Sequence, residues 1–150
     1  MDYKIVELPE ITVCGLSART NNSSPDMGKI IGGLWQQFYG GIFQQIGGKK
    51  SEYAMGIYTD YASDNTGDYT VMTAYETDGS STPDGTVTRT FPAGKYAEFT
   101  VVGNMVTAVA EFWQELWKLD LPRSYVMDFE QYRSGDCDNC EIHIFIGLKG

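Results

Sequence analysis

The stretch LPEITVCGL (residues 8–16) returns in the second half of the chain as FPAGKYAEF (residues 91–99). Each copy is a hydrophobic residue, a proline and then an alternating run. This pattern predicts a strand with a bend at its start, because proline cannot donate a ladder hydrogen bond. A helical pattern with a central tryptophan follows each copy, as LWQQF (residues 34–38) and FWQEL (residues 112–116). The sequence therefore predicts two copies of one module.

Two further strand-like runs follow each predicted helix. They cover residues 52–61 and 68–77 in the first copy, and residues 123–133 and 141–148 in the second. The copies span about residues 1–80 and 84–150, joined by a turn-rich link. A half of this size cannot bury its apolar helix face alone, so we expect a single domain over residues 1–150. The predicted fold class is α+β, with one antiparallel sheet and two helices on one face.

The two predicted helices differ in their glycine content. Apolar residues in the range 27–42 follow helical spacing, but this run contains Gly32 and Gly33, which each lower helix stability by about 1 kcal/mol. Two further pairs, Gly40-Gly41 and Gly47-Gly48, are expected to fray or end the first helix. The second helical run has no glycine, so we expect the first helix to be the looser of the two.

Composition narrows the class of protein. The chain has 150 residues, 42% of them hydrophobic, and a formal net charge of −9. This charge argues against binding to nucleic acid, whose phosphates attract Lys and Arg. No apolar run approaches the ~18 residues that a membrane span requires, and the first residues lack the basic and apolar regions of a signal peptide. With three cysteines, an odd number, these features predict a cytoplasmic protein without a disulfide framework.

The cysteine and histidine residues do not predict a metal site. Cys137 and Cys140 form a CxxC pattern, but zinc requires four nitrogen or sulfur ligands with a second pair at a suitable spacing. Cys14 and His143 are the remaining candidates, and they do not form such a pair. The pattern also lies between two strands, whereas redox CxxC motifs stand at the start of a helix. We therefore expect a plain turn here, with no bound metal or other cofactor.

The segment FEQY (residues 129–132) carries the strongest candidate site residue. Strand alternation places Glu130 and Tyr132 on one face, and alignment of the two copies places Tyr58 at the position equivalent to Glu130. A carboxylate among aromatic rings costs several kcal/mol in desolvation unless it is paired, and a cationic guest on aromatic faces would relieve that cost. The alternative is a glutamate that faces water, and the residue type alone favours this alternative.

Trp35 and Trp113 lie in the middle of their helical stripes, where core packing is the usual role of a tryptophan. They can also form the walls of a cleft, because large flat side chains bind ligands with little loss of entropy. Both roles are compatible, since one edge of an indole can pack while one face lines a pocket.

Several short motifs, taken in order, resemble those of a known family. They are FPAGKYA (91–97), FW (112–113), LP (121–122), FEQY (129–132) and IHIFI (142–146). With the duplicated strand–helix–strand–strand plan, they make the chain similar over essentially its whole length to the GyrI-like effector-binding domains. Those domains form the ligand-sensing part of AraC-type and MerR-type multidrug regulators, and they also occur as standalone proteins.

The resemblance implies a hydrophobic cleft with one central glutamate that neutralises cationic, lipophilic drugs. Glu130 matches the glutamate of the family's Glu-x-Tyr motif, and Phe145 matches an aromatic position of the final strand but lacks a tyrosine hydroxyl. The predicted ligand-binding residues are Glu130, Tyr132, Tyr58, Phe145, Trp35, Trp113 and Tyr96. The expected ligands are amphipathic aromatic cations, bound between the two copies.

Three functions remain open on this basis. The first is a standalone sensor or sequestering protein for such cations. The second is a small hydrolase, since some relatives open strained cyclopropane rings, and Glu130 with Tyr58 or Tyr132 could supply acid–base chemistry. The third is an inhibitory protein partner, since some relatives contact a topoisomerase. No residues remain for a helix-turn-helix motif, so the chain by itself is not expected to bind DNA.

Overall fold

The secondary structure of the chain follows the duplicated plan. A computed structural model describes residues 2–63, 66–134 and 138–149. The strands are β1 (Lys4–Leu8), β2 (Ile11–Thr20), β3 (Ala54–Thr59), β4 (Tyr69–Glu76), β5 (Val87–Phe91), β6 (Gly94–Gly103), β7 (Arg123–Ser134) and β8 (Cys140–Leu148). The helices are α1 (Met27–Gln37), the short α2 (Phe43–Gln45) and α3 (Thr107–Leu116). The order strand–helix–strand–strand therefore occurs twice, through β2, α1, β3 and β4 and again through β6, α3, β7 and β8.

The strands of the described residues form one antiparallel sheet, in the order β1-β6-β8-β7-β3-β4-β2-β5. The two copies meet where β3 pairs with β7. At this seam Gly56 lies opposite Glu130, and Tyr58 lies opposite Asp128. Tyr58 is the first-copy equivalent of Glu130, and Gly56 is the equivalent of Asp128, because the same sequence offset separates the members of each pair. The contact of Gly56 with Glu130 is therefore equivalent to that of Tyr58 with Asp128, and the seam has an approximate two-fold symmetry. The equivalent positions of Tyr58 and Glu130 therefore come together at the centre of the sheet.

Each copy provides an edge strand to the other. β1 and β2 are two parts of one bent strand of the first copy, yet β1 pairs with β6 of the second copy, where Lys4 lies opposite Glu98. In the reverse sense, β5 precedes β6 in the second copy and pairs with β2 of the first. Pro9 and Pro92 stand between the two parts of each bent strand, where no ladder hydrogen bond is required. The two copies are therefore interlocked.

Both faces of the sheet are buried, but in different ways. On one face, α1 packs against the first copy through Leu34, and α3 packs against the second copy through Phe112 and Leu116. The other face has a core cluster made of strand residues: Val13, Met55, Ile57, Met72, Ala74, Phe91, Tyr96, Met127, Phe129 and Phe145. Because this cluster includes residues from both ends of the strand order, the sheet curls around it. The predicted α+β class, with helices on one face, is confirmed.

Helix α1 is less regular than α3, as its glycine content predicts. Gly32 and Gly33 lie inside α1, which continues as a turn of π-helix over Phe38–Ile42 before α2 begins. Gly41 has a φ of 150°, a conformation that favours glycine, and it marks a kink inside the Phe38–Ile42 turn. Helix α3 runs without such a kink. None of the helices in the described ranges is long and apolar enough to cross a membrane.

Candidate functional site

A cleft of about 520 Å³ opens on the helix-covered face, between α1 and α3 and over the seam of β3 and β7. It forms because α1 rests on β2 and β4 while α3 rests on β6, so the centre of the sheet lies between the two helices. Aromatic side chains make up much of its wall: Trp35, Tyr58, Tyr61, Tyr69, Trp113, Trp117 and Tyr132. A cleft of this size and character suits a drug-sized apolar molecule.

Glu130 contributes to this cleft from the central strand β7, with only 1% of its surface exposed. Its Oε2 accepts hydrogen bonds from the indole N–H of Trp113 (2.8 Å) and the hydroxyl of Tyr58 (3.1 Å). Its Oε1 accepts one from the hydroxyl of Tyr132 (2.7 Å). The alternative of a water-facing glutamate is therefore wrong, because β7 is a central strand and Glu130 lies on its helix-covered face, where it bonds to Trp113 of α3.

Gly56 makes room for this carboxylate. It lies directly opposite Glu130 on the neighbouring strand. A Cβ atom at this position would stand 2.7 Å from Oε1 of Glu130 and 3.4 Å from the indole of Trp35. The first distance is well inside ordinary van der Waals contact. A side chain at position 56 would therefore displace Glu130 from its hydrogen-bond partners.

The surroundings raise the pKa of Glu130 and of its tyrosine partners. Burial raises the pKa of Glu130, and the hydrogen bonds from Trp113, Tyr132 and Tyr58 oppose this rise because they stabilise the carboxylate. Burial, followed by the negative charge of Glu130, raises the pKa of Tyr58 and Tyr132 well above the usual value. The same two causes raise the pKa of Tyr69 to about 12. Tyr58 and Tyr132 therefore stay neutral donors to the carboxylate.

The two tryptophans are at once part of the core and part of the cleft wall. Trp113 meets the ring of Tyr58 edge-on at 5.3 Å, and its N–H holds Glu130. Trp35 meets Tyr132 edge-on at 5.4 Å. Both indoles are half-buried and line the cleft. The two roles considered from the sequence are thus combined in each residue.

A second buried acid lies two residues before Glu130 on the same strand face. Asp128 is fully buried and forms an ion pair with Arg123, whose Nη2 lies 2.7 Å from its Oδ2. The hydroxyl of Tyr61 donates to the same oxygen (2.5 Å), and the backbone N–H of Gly147 donates to Oδ1 (2.8 Å). Among the described residues, Asp128 thus has a counter-cation and Glu130 has none.

Two predicted ligand-binding residues lie on the opposite face of the sheet. Phe145 stacks on Phe129 with ring centroids 4.6 Å apart, and Tyr96 meets Phe129 edge-on at 5.8 Å. All three belong to the core cluster of strand residues. Strand alternation explains the correction: Phe145 pairs with Phe129, the neighbour of Glu130, so its side chain points away from the cleft.

Sequence reasoning misses Gly56, Asp128 and Arg123. Asp128 had a signal, because a residue two positions before Glu130 on a strand shares its face. Gly56 had none, since its role depends on the register between β3 and β7. Arg123 reaches Asp128 across a shift in the pairing of β7 with β8, which residue patterns do not indicate.

Cysteine and histidine give no metal site in the described part of the chain. Cys140 is buried at the start of β8, and Cys137, the other half of the CxxC pattern, lies outside the described residues. Within the described ranges, no group of three or more His, Cys, Asp or Glu side chains could hold a metal ion. His143 lies between two carboxylates, with Nδ1 2.7 Å from Glu98 and Nε2 2.7 Å from Glu141.

Comparison with known families gives a match over almost the whole chain. The family described as Cass2, integron-associated effector binding protein, matches residues 4–148. Curated proteins give no match in sequence.

Solved structures share the fold. The integron cassette protein VCH_CASS2, from the mobile metagenome of Vibrio cholerae, is 29% identical, with a TM-score of 0.77 over 98% of this chain and 95% of that chain. SAV2435, in a structure with bound tetraphenylphosphonium, is 22% identical, with a TM-score of 0.81 over 100% of this chain and 95% of that chain. The C-terminal domain of EcmrR is 17% identical, with a TM-score of 0.63 over 99% of both chains. Neither the family description nor these relatives favours the hydrolase alternative.

Proposed function

Since the chain belongs to the family of integron-associated effector-binding proteins, we propose that it binds lipophilic aromatic cations in the cleft between α1 and α3, around the carboxylate of Glu130. In this role it acts as a sensor of such compounds or as a protein that sequesters them. The buried charge of Glu130 is the observation that carries the proposal.

Glu130 has no cationic partner among the described residues. Its hydrogen-bond partners Trp113, Tyr58 and Tyr132 are all neutral donors, whereas Asp128 is paired with an arginine. A buried carboxylate without a counter-charge costs several kcal/mol. A cationic guest supplies that counter-charge. It thereby offsets the desolvation cost of the carboxylate, and this gain contributes to the affinity for the guest.

The geometry favours cations that have no N–H groups. Donors from the protein already occupy both oxygens of Glu130, and the residue is only 1% exposed. A guest therefore senses the charge through space and does not need to donate a hydrogen bond to it. Quaternary ammonium, phosphonium and delocalised dye cations meet this requirement. Aromatic faces such as those of Trp35 and Trp113 add cation–π attraction of about 0.5–2 kcal/mol each.

The relative SAV2435 lends support to this ligand class. Its structure contains tetraphenylphosphonium, which is a quaternary, aromatic and lipophilic cation. At 22% identity the likeness to this chain is one of fold, so the ligand class enters here as part of the proposal.

A titration with tetraphenylphosphonium tests the proposal in the wild type, Glu130→Gln and Glu115→Gln. Glutamine at position 130 removes the charge and keeps the shape, and a tyrosine hydroxyl can accept from its amide. For a guest charge ~5 Å away, the lost attraction is about 3 kcal/mol at an effective dielectric constant of ~20, or about a hundredfold in Kd. Glu115, whose side chain is 60% exposed on α3, gives the same change in net charge, and we expect its variant to keep the wild-type affinity.

Calorimetric titration gives the Kd, and thermal unfolding confirms that each variant is folded. Equal affinities of the wild type and Glu130→Gln would remove Glu130 from the mechanism. An equal loss in both variants would show that net charge, and not the cleft, attracts the cation.

A further inference from the structure

Arg123 is a second charged residue in the wall of the cleft, beside Glu130, and cation binding by itself gives it no role. Its side chain is 7% exposed and lines the cleft. The guanidinium lies 4.4 Å from the ring centroid of Tyr125 and 6.0 Å from that of Trp113. Together with the ion pair to Asp128, these rings hold the guanidinium in one position.

The described residues leave most of the hydrogen-bonding capacity of this guanidinium unused. An arginine carries five N–H donors, and the described residues provide one hydrogen bond, from Nη2 of Arg123 to Oδ2 of Asp128. The Nε atom is buried and has no partner in the described part of the chain. A guest cannot reach a fully buried atom, but the Nη1 atom has no hydrogen-bond partner in this part of the chain either and is not fully buried, so an acceptor on a guest can bind there.

The acceptor that fits this position is uncharged. Arg123 and Asp128 form a pair without net charge, and Asp128 accepts further hydrogen bonds from Tyr61 and Gly147. A carboxylate on the guest would be repelled by both Asp128 and Glu130. A carbonyl oxygen accepts N–H bonds without this repulsion.

Trp113 lies next to both charged side chains. Its indole N–H donates to Glu130 at 2.8 Å, and its ring centroid lies 6.0 Å from the guanidinium of Arg123. The carboxylate and the guanidinium are therefore neighbours of the same indole, within the reach of one drug-sized guest.

We propose that Arg123 forms a subsite for a neutral acceptor, which binds the carbonyl oxygen of an ester or amide on an aromatic cation whose charge lies near Glu130. The inference rests on the proposed function, since it assigns a further part of the ligand to the same cleft. The ligand class is then a lipophilic cation that carries a carbonyl group at one end.

Matched phosphonium probes test the subsite. One probe is 3-(ethoxycarbonyl)propyl-triphenylphosphonium, and the other is heptyltriphenylphosphonium, which has the same chain length without an acceptor. The ratio of their Kd values is measured for the wild type, for Glu130→Gln and for the double variant Arg123→Met with Asp128→Asn. The double variant removes both charges together, so no lone charge stays buried.

In the wild type we expect the ester to bind more tightly than the heptyl probe. The ester preference should fall about tenfold or more in the double variant, because a hydrogen bond to a charged donor is lost. In Glu130→Gln both probes should lose affinity while the ester preference persists. A preference absent from the wild type, or one that survives in the double variant, overturns the inference.

Two further measurements use the wild type alone, in case the double variant does not fold. In a series of ester probes with increasing spacer length, the preference over matched alkyl probes should peak at one length, and a flat series contradicts the subsite. A 3-carboxypropyl probe that binds more tightly than the ester would indicate an anion site and refute the neutral acceptor. If ester and heptyl probes bind equally well, the subsite is wrong and the proposed function stands. If no phosphonium probe binds, both fail.

Discussion

Replacing Gly56 with alanine tests whether the cleft depends on the close approach of β3 to Glu130. The added Cβ would stand 2.7 Å from Oε1 of Glu130. That oxygen is also held at 2.7 Å by the hydroxyl of Tyr132, and the other oxygen is held by Trp113 and Tyr58. The carboxylate therefore cannot move away from the new methyl group without stretching these hydrogen bonds.

The expected magnitude follows from what this displacement breaks. A hydrogen bond to a charged group contributes about 1.5–3 kcal/mol, and overpacking of a tight site costs about 1–3 kcal/mol. Since the displacement weakens some of these bonds without abolishing all of them, we expect Gly56→Ala to lower the free energy of unfolding by about 2–4 kcal/mol. Its affinity for tetraphenylphosphonium should fall about tenfold, because the charge leaves its position.

Urea unfolding measures the stability, and calorimetric titration measures the affinity. Gly33→Ala is the matched control, since nothing lies within 4 Å of the Cβ that it would add. Alanine is the better helix former by about 1 kcal/mol, so this variant should gain stability and keep its affinity. In a Glu130→Ala background, Gly56→Ala should cost much less, because the clashing oxygen is gone. A Gly56→Ala protein with wild-type stability and affinity would refute the reasoning.

Phe145→Ala should lower the free energy of unfolding by about 3–5 kcal/mol, because it empties part of a core. The folded variant should nevertheless bind tetraphenylphosphonium with wild-type affinity. A loss of affinity in a titration below the melting temperature would place Phe145 in the cleft. Binding should weaken as pH is lowered through the pKa of Glu130, which burial raises, because the protonated acid carries no charge; Kd against pH should lack this step in Glu130→Gln. As pH is lowered over the same interval, the ligand-free wild type should gain stability relative to Glu130→Gln. The reason is that folding raises the pKa of this carboxyl group. Such a group stabilises the folded state fully below its unfolded pKa, and this contribution is lost as pH rises through its folded pKa. Thermal unfolding of both proteins checks the sign, and a relative loss on acidification would contradict it.

The module plan could be predicted because it rests on periodicity. Alternation and helical spacing are local properties, so two copies of strand–helix–strand–strand are visible in the residues themselves. The equivalence of Tyr58 and Glu130 also came from the alignment of the copies, and the seam shows why it matters, since these two side chains meet at 3.1 Å.

The burial of Glu130 could not be predicted from its residue type. Glutamates are mostly exposed, and what overrides this tendency is the strand order, which puts β7 next to β3 in the middle of the sheet. Strand order depends on which edges pair over long sequence distances, and no local pattern encodes it. The role of Gly56 could not be predicted for the same reason, because its partner Glu130 lies on another strand in the second copy.

The error at Phe145 has a different cause. A resemblance of motifs assigns a strand position, but the face of that strand depends on register. Phe145 pairs with Phe129 and not with Glu130, and a shift of one residue moves a side chain from the cleft to the opposite core.

The approximate two-fold symmetry at the seam limits what a pair of identical modules could do there. An assembly of two separate, identical chains places the same residue on both sides of its axis. Two tyrosines there would carry no charge, and two glutamates as close as the 3.1 Å contact between Tyr58 and Glu130 would share a proton, because like charges so near cannot both ionise. Covalent fusion of the copies lets each side change by itself. The result is one negative charge, that of Glu130, near the symmetry axis. The cation in the proposed function carries one positive charge to match it.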